Sequence, residues 1–143
     1  MFDKLIRQLE KLERAAESLV IESAKDNEHL IRSLNTFGQL FKGLDAQGDE
    51  IRPPYRPRTI RRKQRKGQPS NRVTVKDTGR FYVSVVVVFA EDQFLIVSKD
   101  PKTEGLQRKY GGQLLGLNDE SLQLLIDGIR TDFFMKSKTF LFK

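Results

Sequence analysis

The sequence predicts an α+β fold, with N-terminal amphipathic helices, a small antiparallel β-sheet built on a hairpin, a C-terminal helix and a long basic extended arm. Three observations lead there. Apolar residues recur every three or four positions from Phe2 to Val20. A β-branched and aromatic run, Phe81 to Ala90, is followed by a turn and a second apolar run. Asn118 then precedes another stretch with helical periodicity. A length of 143 residues matches one domain, so residues 1–143 are expected to fold as a single unit.

Residues 1–42 read as helical. Phe2, Leu5, Ile6, Leu9, Leu12, Ala16, Leu19 and Val20 fall on one stripe, and Lys4, Arg7, Glu10, Lys11, Glu13, Arg14 and Glu17 occupy the other face. Asp26 and Asn27 suit a cap or turn. Beyond them Leu30, Ile31, Leu34, Phe37 and Phe41 form a second helical stripe, and the periodicity leaves one bent helix or two equally open. Gly43 to Ile51 reads as a turn, because Gly43, Asp45 and Gly48 suit positive φ or side-chain-to-backbone bonds.

Residues 51–72 read as the basic, proline-rich arm. Pro53 to Pro57 are expected to be extended, and Thr59 to Lys66 can form a short basic helix before Gly67 and Pro69. Residues 73–98 are expected to form the hairpin sheet. Val73 to Val75 start it, Phe81 to Ala90 form a strand apolar on both faces, Glu91 to Gln93 turn, and Phe94 to Ser98 return. A strand apolar on both sides calls for cover on both sides. Leu106 to Tyr110 allows one helical turn before Gly111 and Gly112. Asn118 is the expected N-cap of a helix over 118–136 carrying Leu122, Leu125, Ile126, Ile129 and Phe133.

The net charge of +7 is concentrated in one place. Between Ile51 and Arg80 stand eleven Lys or Arg against the single acid Asp77, a local +10, so the rest of the chain carries −3. The candidate contact residues are therefore Arg52, Tyr55, Arg56, Arg58, Arg61, Arg62, Lys63, Arg65 and Lys66, facing either DNA phosphates or an acidic neighbouring subunit.

Catalytic and cofactor chemistry finds no constellation. The one histidine, His29, has no Cys or second His to complete a metal set. Asp45 and Asp49 do not open a calcium loop, because Gln47 stands at its third position and Arg56 at the twelfth, where a Glu is needed. Gly111-Gly112 lacks the spacing and lysine of a phosphate loop, and no serine has a base and orienter. No enzyme activity, cofactor or metal is expected. The longest apolar run, Val85 to Ala90, is far short of the roughly 20 residues that span a bilayer, so no membrane role is expected either.

Several ordered elements resemble the tail-completion, or virion-morphogenesis, proteins of tailed bacteriophages. They are Gly43, Asp45 and Gly48; Pro54, Tyr55, Thr59 and Lys63; Thr78, Gly79, Phe81 and Ser84; then Tyr110 and Gly111, over roughly Leu34 to Leu117. That family commonly has His or Glu beside the Tyr-Gly element, where this chain has Lys109, Gly111 and Gly112. The resemblance implies a sheet packed on helices and a non-enzymatic virion subunit assembled in the bacterial cytoplasm. It implies a homo-oligomeric ring at the neck, or head–tail junction, around the DNA channel. The partners it implies are other neck, portal-proximal or tail proteins and possible DNA phosphate contacts in the channel. The helix Phe2 to Ala24 and the arm Arg52 to Arg72 are the two patches that ring closure would use. A small basic nucleic-acid-binding protein is the alternative reading.

Overall fold

The structure is a computed structural model, described here for residues 1–142. The chain is α+β, as expected: helices α1 (Phe2–Asp26), α2 (Glu28–Thr36), α3 (Pro57–Arg65) and α4 (Arg80–Val83), strands β1 (Val85–Phe89) and β2 (Phe94–Ser98), then α5 (Thr103–Tyr110) and α6 (Asp119–Leu141). The N-terminal region is two helices, broken at Asn27. Its side-chain amide donates to Ser23 O while its own N–H closes on Ala24 O.

β1 and β2 pair antiparallel, with Val85 opposite Ser98 and Phe89 opposite Phe94. Pleating sends Val85 and Val87 to the inner face, where β1 joins two apolar clusters. Val85 packs with Leu40, Ile51, Val73, Val75, Phe81, Tyr82 and Leu114. Val87 packs with Ala24, Ile31, Leu34, Leu125 and Ile129, contributed by α1, α2 and α6. α1 and α6 run antiparallel, since Gln8 Nε2 bonds Leu141 O near one end and Lys136 pairs with Asp26 nearer the other.

Five expectations need correction. Phe81 to Ser84 is not strand. Gly79 adopts φ +89° and Thr78 Oγ1 accepts from Arg80 N, turning the chain into α4, which buries the consecutive residues Phe81 and Tyr82 in one core. Strict alternation in a strand would have sent them to opposite faces.

Val73 to Val75 form no strand, and the sheet is confined to 85–98 within the expected 73–98. All three residues are buried, and side chains replace a ladder: Tyr55 Oη accepts from Thr74 N at 3.0 Å and Tyr82 Oη donates to Thr74 O at 2.6 Å.

β1 is covered on one face only, with Val88 and Leu95 paired on the outer side and more than half exposed. The N-terminal half of α1 is likewise uncovered, Phe2, Leu5, Ile6 and Leu9 all being exposed.

The C-terminal helix runs to Leu141, five residues past 136, with Asn118 Oδ1 accepting from Ser121 N as its cap. Of its expected stripe, Leu125 and Ile129 are buried, while Leu122 and Ile126 stay exposed.

The fifth correction concerns residues 51–72, which are no free extended limb. Arg56 is extended and the expected short helix is present as α3, but the segment is held on the first cluster by the bonds described below.

Candidate functional site

Local sequence explains how the basic segment folds. Arg56 is extended (φ −73°, ψ 156°), as a residue before proline tends to be, and Pro57 takes the first helical position where its missing N–H costs nothing. α3 ends at Arg65 and is capped by Lys66, with Gly67 at φ +69°. Helical spacing then separates two faces. Thr59, Ile60 and Lys63 turn inward, whereas Arg58, Arg61, Arg62 and Arg65 are exposed with Arg56 beside them. Among the described residues no carboxylate pairs with any of these five arginines. Like charges at such spacing oppose the helix by roughly 0.2–0.5 kcal/mol per pair, so packing must hold it.

Lys63 supplies much of that packing. It is only 5% exposed, its Nζ donates to Lys76 O at 2.7 Å, and the ammonium lies 5.0 Å from the centre of the Tyr55 ring. Lys66 pairs with Asp77 at 2.6 Å, and Gln68 Nε2 donates to Asp77 O. The Lys66 hydrogen bond holds the Asp77 carboxyl below the usual carboxylate range, outweighing partial burial, with Lys63 and Arg62 helping through space. Arg72 Nε donates to Phe41 O, and its guanidinium lies over the Phe41 ring. Arg52 pairs with Glu50, and both side chains are exposed.

Lys76 anchors the other end of the segment. Its ammonium lies 5.5 Å, 5.6 Å and 5.9 Å from the ring centres of Phe37, Phe41 and Tyr82, an aromatic enclosure for one cation. Burial pushes the Tyr82 phenol well above the usual tyrosine range, with Tyr55 adding to the shift and Arg72 opposing it.

The residues that carry the phage resemblance surround this first cluster and shape its turns. Asp45 Oδ1 accepts from both Gln47 N and Asp49 N, closing the loop between Gly43 (φ +80°) and Gly48 (φ +85°). A Cβ on Gly43 would lie 3.0 Å from Arg72 Cβ, so this turn and the basic segment touch. Ser84 Oγ donates to Arg80 O, Tyr110 packs on the cluster, and Gly111 takes φ +95° after α5. α5 itself is longer than the single turn expected. Thr59, Lys63, Thr78, Phe81 and Tyr110 share the wall of one cavity beneath α3.

Sequence reasoning missed a pair of buried amides. Asn35 and Gln39, both 0% exposed, grip residues 114–118 from the helical side. Asn35 Nδ2 donates to Leu114 O and its Oδ1 accepts from Gly116 N. Gln39 Nε2 donates to Gly116 O and its Oε1 accepts from Asn118 N. Asn35 lies in the last turn of α2 and Gln39 in the turn that follows it, and two amides four residues apart were the signal available. His29 is exposed, and among the described residues no three His, Cys, Asp or Glu are grouped to hold a metal. No helix among the described residues is long and apolar enough to cross a membrane.

No family model matches the chain, and neither the curated proteins nor the solved structures compared with it give a match. The phage resemblance thus stands on the ordered residues quoted above.

Proposed function

We infer that this protein is a non-enzymatic structural subunit of a tailed bacteriophage, part of the neck or tail-completion ring that joins head to tail around the DNA channel. The observation that carries the reading is uncovered apolar surface in separate places. It comprises the stripe Phe2, Leu5, Ile6 and Leu9 on α1, the outer sheet face at Val88 and Leu95, and Phe134 and Met135 on α6. Scattered exposed apolar residues are ordinary, but contiguous stripes mark contacts. Covering one large side chain gains about 1.5–3 kcal/mol, so burying the α1 stripe alone offers a substantial drive to assemble. Two different patches on one subunit suit the head-to-tail contacts of a ring. The exposed arginines of α3 then face either DNA in the channel or a neighbour's carboxylates.

Light scattering and negative-stain imaging of the purified protein, alone and with capsids or tails, test the reading. Closed rings with masses at multiples of 16.5 kDa are expected, together with the protein's presence in purified particles. A monomer at high concentration that is also absent from particles refutes it.

The exposed guanidiniums on α3 also favour the second reading, a small nucleic-acid-binding protein. A monomer whose DNA affinity falls steeply with salt would replace the ring reading with this one.

A further inference from the structure

The open cavity beneath α3 has a volume of about 180 Å³, room for several waters. Three stretches distant in sequence form its wall: one face of α3, the loop from Val75 through α4, and the region from Asp100 through α5. Six cationic residues line it against two carboxylates, Asp77 and Asp100, with the Lys76 ammonium turned toward Phe37, Phe41 and Tyr82. Asp77 is engaged by Lys66, which stands outside the cavity wall, and Asp100 Oδ1 accepts from the backbone N–H of Lys102.

Lys63 is the decisive group. The residue is buried, and among the described residues no carboxylate lies within ion-pair distance of its ammonium; a carbonyl and the face of a phenol ring are its company. A lysine ammonium carries three donors, and Lys76 O accepts one of them. Buried charge is normally paired, because removal from water is costly without a counter-charge. Asp77, on the same wall, acts on Lys63 only through space and is held by Lys66, so the cavity that Lys63 lines has room for a further counter-charge.

We propose that this cavity binds a phosphate group, with Lys63 as its buried cation, Arg62, Arg80 and Lys109 as further charges, and the hydroxyls of Thr59 and Thr78 as neutral donors. Phosphate suits the wall better than a single carboxylate does. Its several acceptor oxygens can be met from three sides at once, and guanidinium forks match them in pairs. The site belongs to the isolated chain and does not depend on ring assembly.

Inorganic pyrophosphate, titrated calorimetrically into the intact protein at physiological salt, tests it. Binding in the sub-millimolar range is expected, weakened tenfold or more by Lys63→Met and by the paired change Arg62→Gln/Arg80→Gln. The paired change alters exposed residues and keeps the test open if Lys63→Met fails to fold. Arg58→Gln/Arg65→Gln, which removes equal charge from the outward side of α3, should leave pyrophosphate binding within twofold. A 5′-phosphorylated oligonucleotide that displaces pyrophosphate assigns the site to nucleic-acid phosphate, and failure to displace assigns it to a free phosphate compound. Absence of pyrophosphate binding, or equal weakening by both paired variants, overturns the site. The ring reading is judged separately, by particle mass.

Discussion

The ammonium of Lys63 donates to the backbone carbonyl of Lys76 at 2.7 Å, tying a helix to a loop thirteen residues along the chain. The same Lys76 sends its own ammonium the other way, among Phe37, Phe41 and Tyr82. Two lysines in series thus connect α3, the strip that begins with the buried residues 73–75, and the end of the helical region. What reads in sequence as a run of repelling charge contains two of the fold's attachment points.

Lys63→Ala should release α3. The change leaves Lys76 O without its partner and removes the stem that fills the space beside Tyr55, a loss of about 1–3 kcal/mol. Amide hydrogen exchange should accelerate across Pro57–Arg65 more than across α2. Unchanged protection of α3 would contradict the tether.

Asn35→Leu and Gln39→Leu should each destabilise the protein by roughly 1–3 kcal/mol despite their similar size, because each strands backbone groups of residues 114–118 away from water. The double variant should fall short of the summed loss, since Gly116 bonds to both amides. Denaturant midpoints measure this, and a neutral result at either position would show that the grip is dispensable.

Tyr82 makes stability fall in alkali. Its folded value lies above its unfolded value, so the contribution is complete below the ordinary 10.0 and is lost as pH rises past it toward the folded value. A spectroscopic titration should show one phenol ionising only as the protein unfolds. Tyr82→Phe should abolish that phase and cost about 1 kcal/mol at neutral pH, by leaving Thr74 O unpaired.

Ile6→Glu combined with Leu9→Glu should separate assembly from folding. Both positions are about half exposed, so the stability of the monomer should move by no more than about 0.5 kcal/mol. The assembled mass should collapse toward that of a single chain. Rings that survive both changes would remove the α1 stripe from the interface.

Much of the secondary structure was legible because it depends on local chemistry. Asn118 as a cap, the Asp45 turn, the hairpin after Phe89 and the helical stripes all follow from residues within a few positions of one another. Phe81 to Ser84 was misread, because β-propensity there is overridden by Gly79 and by a core that accepts Phe81 and Tyr82 together. Of the candidate contact residues, the exposed arginines were readable as a charge excess. That Lys63 is buried among them was not, since one lysine in a basic run carries no mark of its environment.

The sequence by itself determined the α+β class, the positions of most turns and the single concentration of positive charge, all properties of residue type and short-range spacing. Tertiary structure alone decided which apolar stripes are buried, that Asn35 and Gln39 hold a segment some eighty residues away, and that the basic segment closes over a cavity. Such outcomes depend on which surfaces meet, and a helix or strand carries the same periodic pattern whether its partner lies elsewhere in the chain or on another molecule.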